Sequence, residues 1–320
     1  MLDVIGLVVP FFALILTGFV LGKRGSHELS ALGWMNTFVV YVALPALFFK
    51  LMSKTPVEQF GEWHFVLGAT GSTFLLFAAT LAGVRLLTRA TMPEAMIQGF
   101  ASAYGNIGYM GPGLALVAFG EQAAVPVALN WCFDNALHFT MAPTIMALSD
   151  RQPVHAVRLA GQVAWKILTH PFILATIIGV AYAVIGIEFP APILRFVDLL
   201  ANAAAPCALF AMGVTLAMRN VRSVPVEMSY IAPLKLIVHP LLVWVMLSLT
   251  GNFPPVWVYA AMLMASLPSA TNVFVLAQQY ETWTEKASAA VLFTTCLSIA
   301  SVSLLIYLAG SGWIAPDLFP

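Results

Sequence analysis

The sequence predicts an all-α integral membrane protein of ten transmembrane helices, arranged as two inverted halves of five helices each. The first observation is composition, because 61% of the 320 residues are hydrophobic and only 9% are charged. A soluble domain carries about 25% charged residues, so this chain has too little polar surface to face water. The second observation is a series of long apolar segments, and the third is an internal repeat.

Ten apolar segments are long enough to be membrane helices, which need about 20 residues to cross the hydrocarbon core. Their approximate spans are 3–22, 31–52, 63–88, 94–119, 123–148, 166–187, 191–217, 229–250, 256–279 and 286–310. The connections between them are short, and the longest runs over about 149–165. The pattern therefore predicts one transmembrane unit covering residues 1–320, without an inserted soluble domain.

Residues of the first five spans recur in the last five at a nearly constant separation of 161 to 164 positions. Matched pairs are Pro10 and Pro171, Pro45 and Pro206, Glu121 and Glu285, and Cys132 and Cys296. These pairs predict a first repeat over about 1–148, a cytoplasmic linker over about 149–165 and a second repeat over about 166–310. Because five is odd, the second repeat enters the membrane from the opposite side, as in many secondary transporters.

The distribution of Lys and Arg predicts that both termini lie outside, in the periplasm of a bacterial cell. Cytoplasmic loops are enriched in Lys and Arg. With the N-terminus outside, ten of the 14 Lys and Arg residues fall in inward loops and only Lys50 and Lys54 in outward ones. The ten are Lys23, Arg24, Arg85, Arg89, Arg151, Arg158, Lys166, Arg219, Arg222 and Lys286.

Two of the predicted helices contain residues that interrupt a helix. The fourth span reads SAYGNIGYMGPGLAL over Ser102–Leu116, and the ninth contains LPSATN over Leu267–Asn272. Freed backbone groups in lipid need partners, so broken helices are tolerated only against protein or a watery cavity. Interruptions at corresponding positions of two halves are a pointer to a transport site.

The candidate substrate-binding residues lie at these two breaks. Half-helix N-termini favour an anion, and the amide and hydroxyl side chains beside them can hydrogen-bond to it. The candidates are Asn106, Gly108, Tyr109, Pro112, Ser266, Pro268, Ser269, Thr271 and Asn272. Without a fixed opposite charge, such a site suits a small carboxylate that must be released again. Small residues that only let helices pack closely, with Pro268 as a passive kink, are the alternative.

Asp134, Asn135 and His138 are candidate coupling residues in the fifth span. A charge in mid-membrane costs about 2.5–3.5 kcal/mol on insertion scales, so Asp134 must face protein or water. His138 lies on the same helix face four residues later. The pair predicts a proton site, a cation site that includes Asn135, or a structural hydrogen-bond network. Lys235 also falls within a span, whereas His239, directly before Pro240, is expected at the membrane interface.

Several motifs resemble those of the auxin efflux carrier family, which includes plant auxin exporters and bacterial malate and malonate transporters. LPSATNVFVLAQQY (Leu267–Tyr280) is similar to the ninth helix of that family, NIGYMG (Asn106–Gly111) to its fourth and VALPALF (Val42–Phe48) to its second. The chain departs from the pattern at Gly105, where family members often have proline. The proline after the fourth-helix asparagine also shifts by one place, to Pro112.

The resemblance implies a fold like that of bile-acid symporters and sodium–proton antiporters, with helices 4 and 9 crossing at the substrate. Helices 1, 2, 6 and 7 would form a dimerising scaffold, and helices 3–5 and 8–10 a domain that moves by an elevator mechanism. Asn106 and Pro268 match the region that binds the substrate carboxylate, and Asn202 would line the inner wall of the site.

The predicted function is therefore secondary active transport or export of small organic anions across the bacterial inner membrane. Malate, malonate and auxin-like indole acids are the expected substrates, with coupling to protons or sodium and a homodimeric assembly. No nucleic acid, cofactor, metal or enzymatic activity is expected, since no basic tract, Cys/His pattern or protease constellation occurs. A sodium-coupled bile-acid-type symporter and a membrane sensor that binds an anion without moving it are the alternatives.

Overall fold

Helices form the regular secondary structure of the computed structural model in the residues that it describes, which are 2–25, 32–54, 61–149, 161, 165, 168–186, 189–218 and 223–319. A helix satisfies its own backbone hydrogen bonds, as an apolar chain in lipid requires. The helices are α1 (Leu2–Arg24), α2 (Gly33–Met52), α3 (Trp63–Leu87), α4 (Met92–Ala103), α5 (Gly111–Phe119), α6 (Ala124–Ser149), α7 (Pro171–Ile185), α8 (Ala191–Ala217), α9 (Met228–Thr250), α10 (Pro255–Ser266), α11 (Thr271–Gln279) and α12 (Thr284–Gly310).

Five of these helices are long and apolar enough to cross a membrane, namely α2, α3, α8, α9 and α12. The predicted all-α class is confirmed for the described part of the chain. Ten spans in two inverted halves stay a prediction. The predicted linker lies outside the described residues except for Ser149, Gly161 and Trp165. The charged residues outside them are Arg151, Arg158, Lys166, Arg219 and Arg222.

The chain divides into two compact units. Unit 1 comprises Met1–Glu62, Gly108–Cys132 and Leu168–Arg219, whereas unit 2 comprises Trp63–Ile107, Phe133–Ile167 and Asn220–Pro320. The chain therefore passes from unit 2 to unit 1 within the fourth predicted span. The predicted division into scaffold and transport helices stays a prediction.

In unit 1, α1 packs against α8 and α2 against α7. Glycines at the α1–α8 contact let the two backbones come close, as small residues do between membrane helices. An ion pair between Lys50 of α2 and Asp198 of α8, with nitrogen and oxygen 2.7 Å apart, adds a link near the ends of these helices.

In unit 2, α3 packs against α4 and α9, and α9 also packs against α10 and α12. The ring of Phe65 meets the edge of Trp257 with centroids 5.1 Å apart, which fixes α3 against α10. Within α9 the stretch Leu234–Val238 is π-helical and lies between Pro233 and Pro240. Proline has no N–H to donate, so the regular hydrogen-bond ladder is interrupted there.

Candidate binding and coupling site

Two helices of unit 2 end inside apolar sequence, at the positions where the sequence predicts breaks. Helix α4 ends before Tyr104, whose backbone is extended at φ −82° and ψ 102°. Helix α10 ends before Leu267, which is extended at φ −62° and ψ 151°. Pro268 accounts for the second end, because the residue before a proline is sterically driven out of the helical region.

The two extended segments pair with each other in antiparallel fashion. The Asn106 N–H donates to the Pro268 carbonyl at 2.7 Å, and the Ala270 N–H donates to the Tyr104 carbonyl at 2.9 Å. Gly105 and Ser269 form the bridge between these bonds. The pairing supplies partners for buried backbone groups that helix termination leaves free.

The hydroxyl groups of two predicted ligands are hydrogen-bonded to backbone carbonyls. Ser269 Oγ donates to the Ala101 carbonyl at 2.6 Å, and the Ser269 N–H donates to Thr294 Oγ1 at 3.0 Å. Ser266 Oγ donates to the Leu263 carbonyl at 2.8 Å. Both serines are buried. The Ser269 contacts tie the break to α4 and α12, whereas the Ser266 contact lies within α10. Substrate binding by Ser266, Ser269 and Pro268 stays a prediction.

Among the predicted ligands of unit 2, Asn272 is the exposed one. It is exposed in the first turn of α11, next to Thr271, which begins that helix. Asn272 Nδ2 donates to Tyr104 Oη at 3.0 Å, and Tyr104 Oη donates to Asn135 Oδ1 at 2.7 Å. The buried Tyr104 therefore links an exposed amide of the break to the predicted coupling residue Asn135.

The other two predicted coupling residues, Asp134 and His138, are also buried in unit 2. The His138 ring does not pair with the Asp134 carboxylate. His138 Nδ1 bonds to the backbone carbonyl of Asp134, not to its carboxylate. The His138 ring stacks on Tyr104, with centroids 3.8 Å apart and an interplanar angle of 14°. The Asp134 carboxylate instead accepts a hydrogen bond from Thr73 Oγ1 of α3, with 3.2 Å between oxygens.

Lys235 and His239 of α9 complete this arrangement, although neither is among the site residues predicted from the sequence. Lys235 Nζ lies 2.9 Å from His239 Nδ1 and also bonds to the Ala265 carbonyl at the end of α10. His239 Nε2 lies 3.1 Å from Thr73 Oγ1. The expected interfacial position of His239 is wrong, since it lies midway along α9 and is 2% exposed. An ionisable residue inside an apolar span is the signal that could have found both.

Lys235 also places a positive charge beside the paired breaks. A β-carbon at Gly105 would lie 3.2 Å from Lys235 Nζ and 3.0 Å from the Met264 carbonyl oxygen. The break residues themselves carry no charge, so the cation on this side of the break comes from Lys235 of α9. Together, the exposed amide of Asn272 and the ammonium next to Gly105 can attract and orient a carboxylate.

Four predicted substrate-binding residues belong to unit 1. Gly108 is next to Trp131, whose Nε1 lies 3.5 Å from the position of an added β-carbon. Tyr109 is half-buried, and Pro112 is buried at the start of α5. Asn202 is exposed on α8. Their part in binding stays a prediction.

A family model described as "Membrane transport protein" matches residues 3–306. The chain belongs to this family. The match covers nearly the whole chain, including both breaks and the buried cluster of α3, α6 and α9, and it confirms the family resemblance seen in the motifs. The chain is therefore an integral membrane protein of a transporter family.

The relatives agree with this assignment over at least 95% of their lengths. A protein of Rhizobium meliloti named "Putative malonate transporter" is 54% identical over 320 residues, covering 100% of both chains. The "Uncharacterized transporter YfdV" of Escherichia coli is 21% identical, covering 95% of this chain and 97% of its own. An "Uncharacterized transporter" of Methanothermobacter thermautotrophicus is 24% identical, covering 93% and 95%. These names point to transport and not to an enzyme.

Proposed function

We propose that this protein carries small carboxylates, with malonate as the first candidate, and binds them at the paired breaks of unit 2. The family supports transport, and the name of the Rhizobium meliloti relative supports a carboxylate as cargo. Inner-membrane location, a homodimer, periplasmic termini and elevator-type movement belong to the same proposal. They rest on the charge distribution and on the family resemblance.

The observation that carries the proposal is the antiparallel pairing of the two breaks. Gly105 and Ser269 differ by 164 positions, and so do the two hydrogen-bond donors, Asn106 and Ala270. This offset equals the spacing of the Cys132–Cys296 repeat pair. Residues that the proposed repeat makes equivalent therefore lie side by side, which supports a binding site there, because repeat-built transporters bind their substrates where the repeats meet.

The chemistry of that point suits a carboxylate. Asn272 presents an exposed amide at the positive end of α11, and an amide N–H can donate to a carboxylate oxygen. The Lys235 ammonium next to Gly105 adds electrostatic attraction for the carboxylate. Lys235 is 0% exposed, so this attraction acts without a contact between the ammonium and solvent. A buried cation favours entry of an anion and still permits release, since no bidentate ion pair must break.

Malonate counterflow in proteoliposomes tests the proposal. Wild-type protein should exchange radiolabelled external malonate for internal malonate without any ion gradient. Asn272→Ala removes a hydrogen bond to a charged group, a loss of about 1.5–3 kcal/mol. The half-saturating malonate concentration should therefore rise about 10- to 100-fold. Gln279→Ala, an exposed amide on the same helix, is the matched control and should behave as the wild type.

The alternatives give different results in the same assay. Counterflow that requires sodium on both sides would favour the bile-acid-type symporter. Malonate binding to purified protein without counterflow would favour the sensor. Unchanged half-saturation in Asn272→Ala would remove the site from the break of unit 2, even if malonate is transported.

A further inference from the structure

A chain of hydrogen-bonded side chains in unit 2 runs from Lys235 to Asp134. It is separate from the exposed amide of Asn272 that is proposed to contact the substrate. Its members are Lys235 and His239 of α9, Thr73 of α3 and Asp134 of α6, and all four are buried. The successive distances are 2.9 Å from Lys235 Nζ to His239 Nδ1, 3.1 Å from His239 Nε2 to Thr73 Oγ1, and 3.2 Å from Thr73 Oγ1 to Asp134 Oδ2. Three separate helices therefore supply one continuous chain.

The chemistry of the groups gives this chain a direction. An ammonium can only donate, so His239 Nδ1 is the acceptor and the imidazole proton sits on Nε2. His239 Nε2–H then donates to Thr73 Oγ1. The Thr73 hydroxyl proton then has two acceptors, the Asp134 carboxylate at 3.2 Å and the Ala69 carbonyl at 3.5 Å, and the contact to Asp134 is the shorter one. With that contact made, one donor of each group in the chain points from Lys235 towards Asp134.

We infer that Lys235, His239, Thr73 and Asp134 form a proton-binding site whose loading is coupled to the transported carboxylate. This inference rests on the proposed function. A proton leaves Lys235 Nζ for His239 Nδ1, the His239 Nε2 proton passes to Thr73 Oγ1, and the Thr73 proton passes to Asp134 Oδ2. Lysine and aspartate end neutral, and histidine ends in its other neutral tautomer. One proton has moved along the chain, and no oxidant, reductant or leaving group is needed.

The charge of the site depends on whether this one proton is present. With it, Lys235 and Asp134 sum to zero, either as an ion pair or as two neutral groups. Without it, the Asp134 carboxylate leaves a net charge of −1. A substrate anion at the nearby break repels the unloaded, negative form, since charges in the low-dielectric interior interact strongly. Bound carboxylate therefore favours the proton-loaded site, and the two should cross the membrane together.

The charged and titratable groups on the described helices that pack around the site can be named individually. From α6, His138 is turned towards the Asp134 carbonyl, and its Nε2 has no hydrogen-bond partner among the described residues. Helix α10 presents the Ala265 carbonyl to Lys235, and neither α3 nor α10 contains a carboxylate. The carboxylates of α4 and α12, Glu94 and Glu285, lie in the first turns of those helices. Among the described residues, Asp134 is thus the carboxylate that the hydrogen-bond chain reaches.

A route from this site to the break is visible in the contacts of Tyr104. Its ring stacks on His138, which bonds to the Asp134 backbone, and its hydroxyl accepts from Asn272. Loading or unloading of Asp134 can therefore shift the ring that positions the substrate amide. Coupling of this kind needs a change in energy of only a few kcal/mol between the two states.

Thr73→Val is the variant that tests the inference. Valine nearly matches threonine in volume but removes the hydroxyl that joins His239 to Asp134, while both charged residues remain. Thr73→Ser keeps the hydroxyl. Thr80→Val is the matched control on the same helix, because the Thr80 hydroxyl is buried and has no hydrogen-bond partner among the described residues.

The assay is malonate accumulation in proteoliposomes under an imposed pH gradient, with the membrane potential clamped to zero. Wild type, Thr73→Ser and Thr80→Val should accumulate malonate on the alkaline side, up to about tenfold per pH unit for each proton carried. Thr73→Val should lose the accumulation, because the hydroxyl that joins His239 to Asp134 is gone. Accumulation by Thr73→Val at the wild-type level would overturn the inference. Wild-type protein that exchanges malonate by counterflow but does not accumulate it under the pH gradient would also overturn the inference. That result would leave the proposed carboxylate transport intact.

A measurement without substrate separates this inference from the proposed function. Infrared difference spectra of purified protein, taken between mildly acidic and mildly alkaline buffer, should contain a carboxyl band that Asp134→Asn abolishes. The pH midpoint of that band should move in Thr73→Val and stay in Thr80→Val. An unchanged midpoint in Thr73→Val would exclude the hydrogen-bond chain as the proton site, whichever solute the protein carries.

Discussion

At the scale of single residues, Gly105 shows how a missing side chain controls the paired breaks. The φ of Gly105 lies outside the left-handed region between +20° and +160°, so backbone freedom does not explain the glycine. The explanation is close approach, because an added β-carbon would lie 3.0 Å from the Met264 carbonyl oxygen and 3.2 Å from Lys235 Nζ. The departure from the family's proline thus leaves room for an ammonium against the bridge.

Gly105→Ala should weaken both the fold of unit 2 and transport. Overpacking of a tight interior costs about 1–3 kcal/mol, and here it presses on the bridge and on Lys235. Thermal unfolding in detergent should show a lower midpoint, and malonate counterflow should slow. Gly83→Ala is the control, since a β-carbon there meets nothing within 4 Å and alanine favours a helix. Equal midpoints for Gly105→Ala and wild type would contradict the tight contact.

The residues of the candidate site differ in how far the sequence could reveal them. Asn272 and the breaks were predictable because proline and polar residues interrupt apolar helices locally. Thr73 was not, because it meets Asp134 across 61 positions and His239 across 166. Helical periodicity gives the neighbours of a residue on its own helix and none on another. Lys235 and His239, four apart on one face, were visible as a pair, but their partners were not.

At the scale of helices, α1 and α8 of unit 1 make contact through glycines. A β-carbon at Gly18 would lie 2.2 Å from the Phe210 carbonyl oxygen, and one at Gly213 would lie 2.0 Å from the Ile15 carbonyl oxygen. The contact is therefore reciprocal and brings the two backbones together. Apolar side chains gain little by leaving lipid for a helix interface, so close backbone packing has to supply the attraction.

Gly18→Ala should therefore separate α1 from α8. A backbone carbonyl cannot rotate away as a side chain can, so the helices themselves must move, at a cost of about 1–3 kcal/mol or more. The expected results are a lower yield of folded protein and a lower unfolding midpoint in detergent. Gly6→Ala on the same helix meets nothing within 4 Å and should leave both unchanged. An unfolding midpoint of Gly18→Ala equal to that of Gly6→Ala would rule out a packing role for the contact.

The helices also show which fold features composition and spacing reveal. The all-α class follows from 61% hydrophobic residues, since a backbone in lipid must bond internally. Glycine and proline correctly marked the ends of α4 and α10. The π-helical stretch of α9 was not predicted, although Pro233 and Pro240 flank it. A proline indicates that the backbone hydrogen bonds of the helix are interrupted nearby. Which carbonyl group then accepts a hydrogen bond from which donor depends on the neighbouring helices.

At the scale of the whole molecule, the number of spans and the charge distribution make one joint prediction. Ten spans are even in number, so both termini must lie on the same side of the membrane. Ten of 14 Lys and Arg residues fall in the loops that this arrangement turns inward. Cytoplasmic loops are enriched in Lys and Arg, so these loops should face the cytoplasm. Both termini lie on the opposite side of the membrane, which is the periplasm.

Reporter fusions in a bacterial host test this topology. A phosphatase that works only in the periplasm should be active when fused after residue 320 and inactive when fused within 149–165. A fluorescent protein that folds only in the cytoplasm should give the opposite pattern. The linker fusion is the internal control, because it carries several of the charges that set orientation. An inactive phosphatase and a fluorescent reporter at the C-terminus would mean an odd number of spans or a reversed chain. Phosphatase activity within 149–165 would single out the reversed chain, which would overturn the predicted orientation. An odd number of spans would instead overturn the five-plus-five arrangement.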